Sequence, residues 1–339
     1  MGTIDCVSAI GDRFRRAMES SRHRLLRGGL PSQATPVDFS DGPHRYRYSN
    51  LSAAIRDKNC PLRCYYDERF PHRNVVQENY RNLSGQLVVD RGTAAPGTVG
   101  AAFDFMIRAT LDGSYVPEVA TRWFRPNPNH VMAIEAVAEA AGGAAQVPDV
   151  GLLARACWAL ALCTEVYRSP AVLLGGSPLV PLLVHGGSFD SESLLNIAKD
   201  DAVIELRRLY ELALDRIGVL LQSEQGILCP EFDGSARCKA DADLITDGVL
   251  VELKVKMGNR PSRRTGLRKD GLTLVEIYQL IGYPLFDTRD LYGIRAVATY
   301  SARYGVLHRW PLQGLLDTLA GEEIDLAAER ARVWRLLNT

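Results

Sequence analysis

Residues 240–256, Ala-Asp-Ala-Asp-Leu-Ile-Thr-Asp-Gly-Val-Leu-Val-Glu-Leu-Lys-Val-Lys, decide the fold. Two strand-like runs, 240–246 and 249–256, flank Asp247-Gly248, a dipeptide that favours a tight hairpin because both positions accept positive φ. Strand side chains alternate faces, so Val249, Val251, Leu253 and Val255 point one way and Leu250, Glu252, Lys254 and Lys256 the other. Asp241 and Asp243 share a face of the preceding strand, and the turn can carry Asp243 towards Glu252. Two carboxylates at close range raise each other's proton affinity. A hard divalent cation relieves that repulsion, and carboxylate oxygens suit Mg²⁺ or Mn²⁺. A lysine two residues beyond Glu252 can orient a water or offset charge developing on a phosphate. A surface hairpin with a solvated Asp, Glu and Lys would be spelled the same way.

Working outward, 272–287 reads as a helix with Leu274, Ile277, Tyr278, Ile281 and Leu285 on its core stripe. Glu276, Gln279 and Tyr283 lie on another face, with Gln279 and Tyr283 at i, i+4. Strand-like runs occur at 226–232, 293–300 and 304–310, and C-terminal helices are expected at 311–319 and 322–336. Upstream, 98–111 has a helical stripe of Phe103, Met106, Ile107 and Leu111, with Gly100 permitting close packing and Asp104 its only acid. Helices are predicted at 130–141, 149–168 and 190–222. The second of these is apolar nearly all round, as a helix buried among helices should be, and Arg155 and Glu165 argue against a membrane span. Residues 12–27 can form a basic helix, followed by a loop at 28–45 and a short helix and turn at 51–70. Cys60 and Cys64 lack a second Cys/His pair at zinc spacing and read as buried thiols. The four tryptophans, Trp123, Trp158, Trp310 and Trp334, read as core.

Asp243, then Glu252-x-Lys254, then Gln279-x-x-x-Tyr283 resembles the PD-(D/E)XK nuclease superfamily, in its RecB/Cas4-like branch. The resemblance covers 226–310, extends weakly to 98–111, and implies an α/β fold. Its elements would be a restriction-endonuclease-like core, a mixed central sheet flanked by helices, and a large helical insertion. It implies Asp243 and Glu252 as ligands of Mg²⁺ or Mn²⁺, Lys254 as the catalytic lysine, and Gln279 and Tyr283 as residues positioning Lys254 or the phosphate. In that branch an upstream Gly-Thr-x-x-His stretch supplies a further ligand. Here the matching stretch is Gly100-Ala-Ala-Phe-Asp104, with Asp104 in the histidine's place. Asp241 is an alternative for Asp243, and Glu205 or Glu211 for Asp104. Some members hold an iron–sulfur cluster through late cysteines; no cysteine follows Cys238 here, so none is expected.

The implied organisation is a basic extension at 1–45, the first part of the core at 46–125, helices at 126–222, the catalytic core at 223–315 and a C-terminal helix at 316–339. Lys256, Arg260, Arg263, Arg264, Arg268 and Lys269 follow the catalytic strand and suit sequence-independent phosphate contact. The whole chain of 339 residues balances 40 basic against 40 acidic side chains, which excludes a molecule-wide basic field and leaves polyanion binding to local patches. With 46% apolar residues it can bury a sizeable core. Seven scattered cysteines do not suggest a disulfide framework. Asp5 and Asp12 interrupt any secretory signal, and no phosphate-binding G-x-x-x-x-G-K-[S/T] loop is present. The expectation is a cytoplasmic, metal-dependent nuclease acting on DNA, with RNA not excluded, in repair or antiviral defence, with no membrane contact. A protein partner would dock on 126–222. The alternative is a catalytically silent nucleic-acid-binding or assembly subunit of the same fold.

Overall fold

Asp247 (φ 49°) and Gly248 (φ 71°) both take the left-handed conformation, which joins two right-twisted strands without splaying them. From this hairpin grows one five-stranded sheet in the order β1 (Ile227–Leu228), β2 (Leu244–Thr246), β3 (Val249–Lys254), β4 (Ala296–Ser301), β5 (Val306–Pro311). Neighbours are antiparallel except β3 and β4, which run parallel. A parallel pair needs a crossover, and a helix between those strands supplies it. The computed structural model describes residues 46–184, 187–222 and 226–339. The basic helix expected at 12–27 and the loop at 28–45 lie outside the described residues.

The principal helices are α1 (Leu51–Arg56), α2 (Pro61–Arg69), α3 (Arg73–Leu83), α4 (Pro96–Leu111), α5 (Pro128–Gln146), α6 (Val150–Arg168), α7 (Asp200–Leu221), α8 (Leu274–Phe286, the crossover), α9 (Leu312–Ala320) and α10 (Leu326–Leu337). Both faces of the sheet are covered. Val249, Val251, Ala296, Ala298 and Tyr300 pack with α4, α5, α6 and α7. Leu250, Val297 and Ile245 pack with α1, α2, α3, α8, α9 and α10. Strand alternation at 249–251 therefore feeds two cores, and the fold is α/β with a mixed sheet between helical layers. The helices of 126–222 share one core with α4 and the sheet.

By length and composition alone α6 is apolar enough to cross a membrane, yet it is mostly buried inside the fold. Of its charged residues, Arg155 pairs with Asp200 at 2.9 Å, Glu165 accepts from Thr98, and Arg168 at the C-terminal end is exposed.

Several elements differ from the sequence reading. The strand expected at 226–232 stops at Leu228, where Cys229 turns to φ 49° and Pro230 has no N–H to give a ladder. Residues 240–243 lie outside β2, because the Asp243 carboxylate, rather than its backbone, bonds Leu253 N–H at 2.7 Å. The helix expected across 190–222 is two, Ser191–Leu195 and α7. Asp190 caps the first, while Asp200 and Asp201 favour a fresh N-terminus in the field of the second. A Cβ on Gly100 would meet nothing within 4 Å, so close packing does not require that glycine. The amphipathic α3, which buries Val76 and Tyr80, was not anticipated. Cys64 is exposed, not buried, and Trp123 is 40% exposed, not core.

Candidate active site

β3 carries Glu252 and Lys254 on one face, two residues apart, with Lys254 Nζ 2.5 Å from Glu252 Oε2. Glu252 is buried; its second oxygen, Oε1, makes no hydrogen bond of ordinary length, although the Tyr283 hydroxyl and the Asp243 backbone lie near enough to the carboxylate to act on it. The β2–β3 ladder ends at Leu244 and Val251, and just beyond it Asp243 lies near enough to Glu252 for its charge to act on that carboxylate. The Leu253 N–H holds Asp243 Oδ2 there, leaving Oδ1 to face α4.

From α4 come Asp104 and, one turn on, Arg108. The guanidinium grips Asp104 with two bonds, Nη2 to Oδ2 at 2.7 Å and Nε to Oδ1 at 3.0 Å. The same Nη2 lies 3.5 Å from Asp243 Oδ1, so Arg108 bridges the two acids. Its other terminal nitrogen donates to the Tyr115 hydroxyl at 3.0 Å and to Cys229 Sγ.

Electrostatics ties these groups into one unit. Burial, then the neighbouring Asp243 carboxylate, pushes the Glu252 pKa up to about 7 against the pull of Lys254. Burial likewise lifts Asp104 to about 7, with Arg108 opposing and Asp243 adding to the rise. For Lys254 burial works against the charge, but Glu252 and Asp243 outweigh it and hold the ammonium above its ordinary range. Tyr283 is buried, and that burial, with Glu252, Asp243 and Asp241 facing it, raises its hydroxyl pKa far above normal.

Asp104, Asp243, Glu252, Lys254 and Tyr283 thus converge, whereas Gln279 does not. Its amide donates to Ser52 Oγ of α1 at 2.9 Å, fastening α8 to α1. Lys256 also differs from expectation. It is held by Glu276 at 2.6 Å and the Gly271 carbonyl at 2.7 Å, with Asp270 at 3.8 Å, and is not available to phosphate. Arg260, Arg263, Arg264 and Lys269 are exposed, and Arg268 is half-buried with a bond to the Asn259 carbonyl at 3.2 Å. Their loop is stapled by Asn259 N–H to the Lys269 carbonyl and Ser262 N–H to the Leu267 carbonyl, both 2.9 Å.

The alternative ligands are committed elsewhere. Asp241 pairs with Lys239 at 3.2 Å, Glu205 with buried Arg303 and the Gly92 N–H, and Glu211 with Arg207 at 3.8 Å.

Asp243 and Glu252 Oε1 present hard donors that fit Mg²⁺ or Mn²⁺. Asp104 fits only if Arg108 lets it go. Among the described residues no three His, Cys, Asp or Glu side chains form a set able to hold a metal ion. Arg108, Tyr115 and Cys229 were missed in the sequence. The available signal was Arg108 four residues after Asp104, the spacing of a helical ion pair. Compared with protein-family models, curated proteins and solved structures, the chain matches none.

Proposed function

We propose that the chain is a Mg²⁺- or Mn²⁺-dependent deoxyribonuclease with a PD-(D/E)XK core. The observation that carries this reading is Asp243 beside a buried Glu252 whose Oε1 makes no hydrogen bond of ordinary length, with Lys254 2.5 Å from the other oxygen. A scaffold gains nothing from burying such a set, since a buried carboxylate oxygen short of an ordinary hydrogen bond costs stability. Asp243 and Glu252, joined by Asp104, would hold the cation, which when bound polarises the scissile phosphate and acidifies a water.

Lys254 orients the nucleophilic water or offsets charge on the phosphate, because its ammonium stays ionised between two acids. Tyr283 closes the buried side of the acids and keeps bulk water from them. Gln279 positions α8, and with it Tyr283, through Ser52. Arg260, Arg263, Arg264 and Lys269 track the DNA backbone by charge, without reading bases. On this reading the protein works in the cytoplasm on DNA, RNA remaining open, in repair or antiviral defence. A protein partner would dock on the outer surface of 126–222.

A second reading, a catalytically silent nucleic-acid-binding or assembly subunit, draws on Arg108, a cation already between Asp104 and Asp243. Cleavage of linear, circular and single-stranded DNA by the purified chain with Mg²⁺ or Mn²⁺ tests the choice. A nuclease cuts, and Glu252→Ala and Lys254→Ala each lower the rate by at least about 100-fold. Metal-dependent cutting that survives in both variants would place the chemistry elsewhere. A wild type that neither cuts nor binds metal through Glu252 would favour the silent subunit.

A further inference from the structure

Arg108 is unusual in spanning two acids of the candidate centre while touching a neutral pair behind it. Its guanidinium chelates Asp104 and reaches Asp243. The same group bonds the Tyr115 hydroxyl and Cys229 Sγ, and its carbon lies 5.7 Å from the Tyr115 ring centre. We propose that Arg108 is an internal counter-ion that withholds Asp104 from the cation site, and that the site becomes complete only when Arg108 releases Asp104 and Asp243 while keeping its hold on Tyr115 and Cys229. This rests on the metal-dependent reading above.

The charges explain why two states are needed. Asp104, Asp243 and Glu252 supply three carboxylates, and Arg108 and Lys254 supply two cations. A divalent ion placed between Asp243 and Glu252 with Arg108 still on Asp243 would face like charge within a few ångströms. Release removes that repulsion and frees both Asp104 oxygens. The cradle for the released side chain already exists. Tyr115 offers a hydroxyl and a ring face, Cys229 a sulfur, and neither is a carboxylate that would trap the guanidinium permanently. Cys229 is held at φ 49°, a conformation that costs a non-glycine residue energy, and that backbone sets its sulfur against Arg108. The side chains of Arg108, Asp104 and Asp243 are 14%, 21% and 22% exposed, so an ion can reach them from solvent.

The test is calorimetric titration of Mn²⁺ into the full metal-free chain, with thermal melts on the same samples. Arg108→Leu should bind Mn²⁺ at least about fivefold more tightly than wild type, the size of a modest coupling between sites. Adding Asp104→Asn to that variant should cancel the gain. Arg108→Lys, which keeps the charge but cannot chelate, should gain less and serves if the leucine variant does not fold. Affinity unchanged or weakened in the folded Arg108 variants, with wild-type binding lost in Glu252→Ala, overturns the counter-ion role while leaving the nuclease reading intact. No Mn²⁺ binding by wild type or any variant removes both.

Discussion

Glu252 is a carboxylate carried into a buried strand, and Lys254 is the neighbour that makes its ionisation tolerable. Its pKa, near 7 in the fold, lies above the ordinary value near 4.5. Between those two pH values the unfolded chain has released a proton that the folded chain still holds. Stability therefore falls as pH rises through this window, and the loss is complete above the folded pKa. Removing Lys254 sharpens the effect, because the ionised carboxylate is then buried alone. Metal-free Lys254→Met is expected to be destabilised by about 3–5 kcal/mol at pH 8 and by clearly less at pH 5. Denaturant melts at the two pH values check this, and an equal loss at both would mean that Glu252 is not ionised next to Lys254.

At the scale of elements the hairpin does most to build the site, since a one-residue slip would turn Glu252 and Lys254 to the other face. Gly248 pins that register. Its φ is 71°, and a Cβ there would meet Arg295 Nε at 2.9 Å and the Gly293 carbonyl at 3.1 Å. Gly248→Val should cost roughly 1–3 kcal/mol of stability and, through the displaced register, lower any metal affinity with it. A variant with wild-type melting temperature would show that the turn does not set the strands. The hairpin, its alternation, α8 and the α6 core helix were legible in the sequence because each is a local pattern. Tyr283 was placed at the site, although its burial was not foreseen. Lys256 was misassigned because Glu276 and Asp270 come to it from a helix and a loop that spacing along the chain does not locate. Arg108 was overlooked for a related reason. A pair at i, i+4 on one helix ordinarily marks a solvated face, and here Asp243 reaches it from the segment just before β2.

For the whole molecule, zero net charge means that long-range attraction to DNA must come from where the charge sits rather than how much there is. The stapled loop at 257–271 concentrates exposed Arg260, Arg263, Arg264 and Lys269 beyond the end of β3, whose last residues are Glu252 to Lys254. Replacing any one of the four by alanine should weaken binding alike for unrelated sequences and reduce the slope of log affinity against log salt by about 1. Binding measured across a salt series decides it, and an unchanged slope would remove the loop from the interface. The site itself is most directly tested by Mn²⁺-dependent cleavage of a supercoiled plasmid and its linear form, comparing wild type with Glu252→Gln. That substitution keeps the shape of the side chain and removes its charge. The account predicts cutting by the wild type and a loss of at least about 100-fold in a Glu252→Gln protein that still melts cooperatively. Equal cutting by both proteins would contradict it.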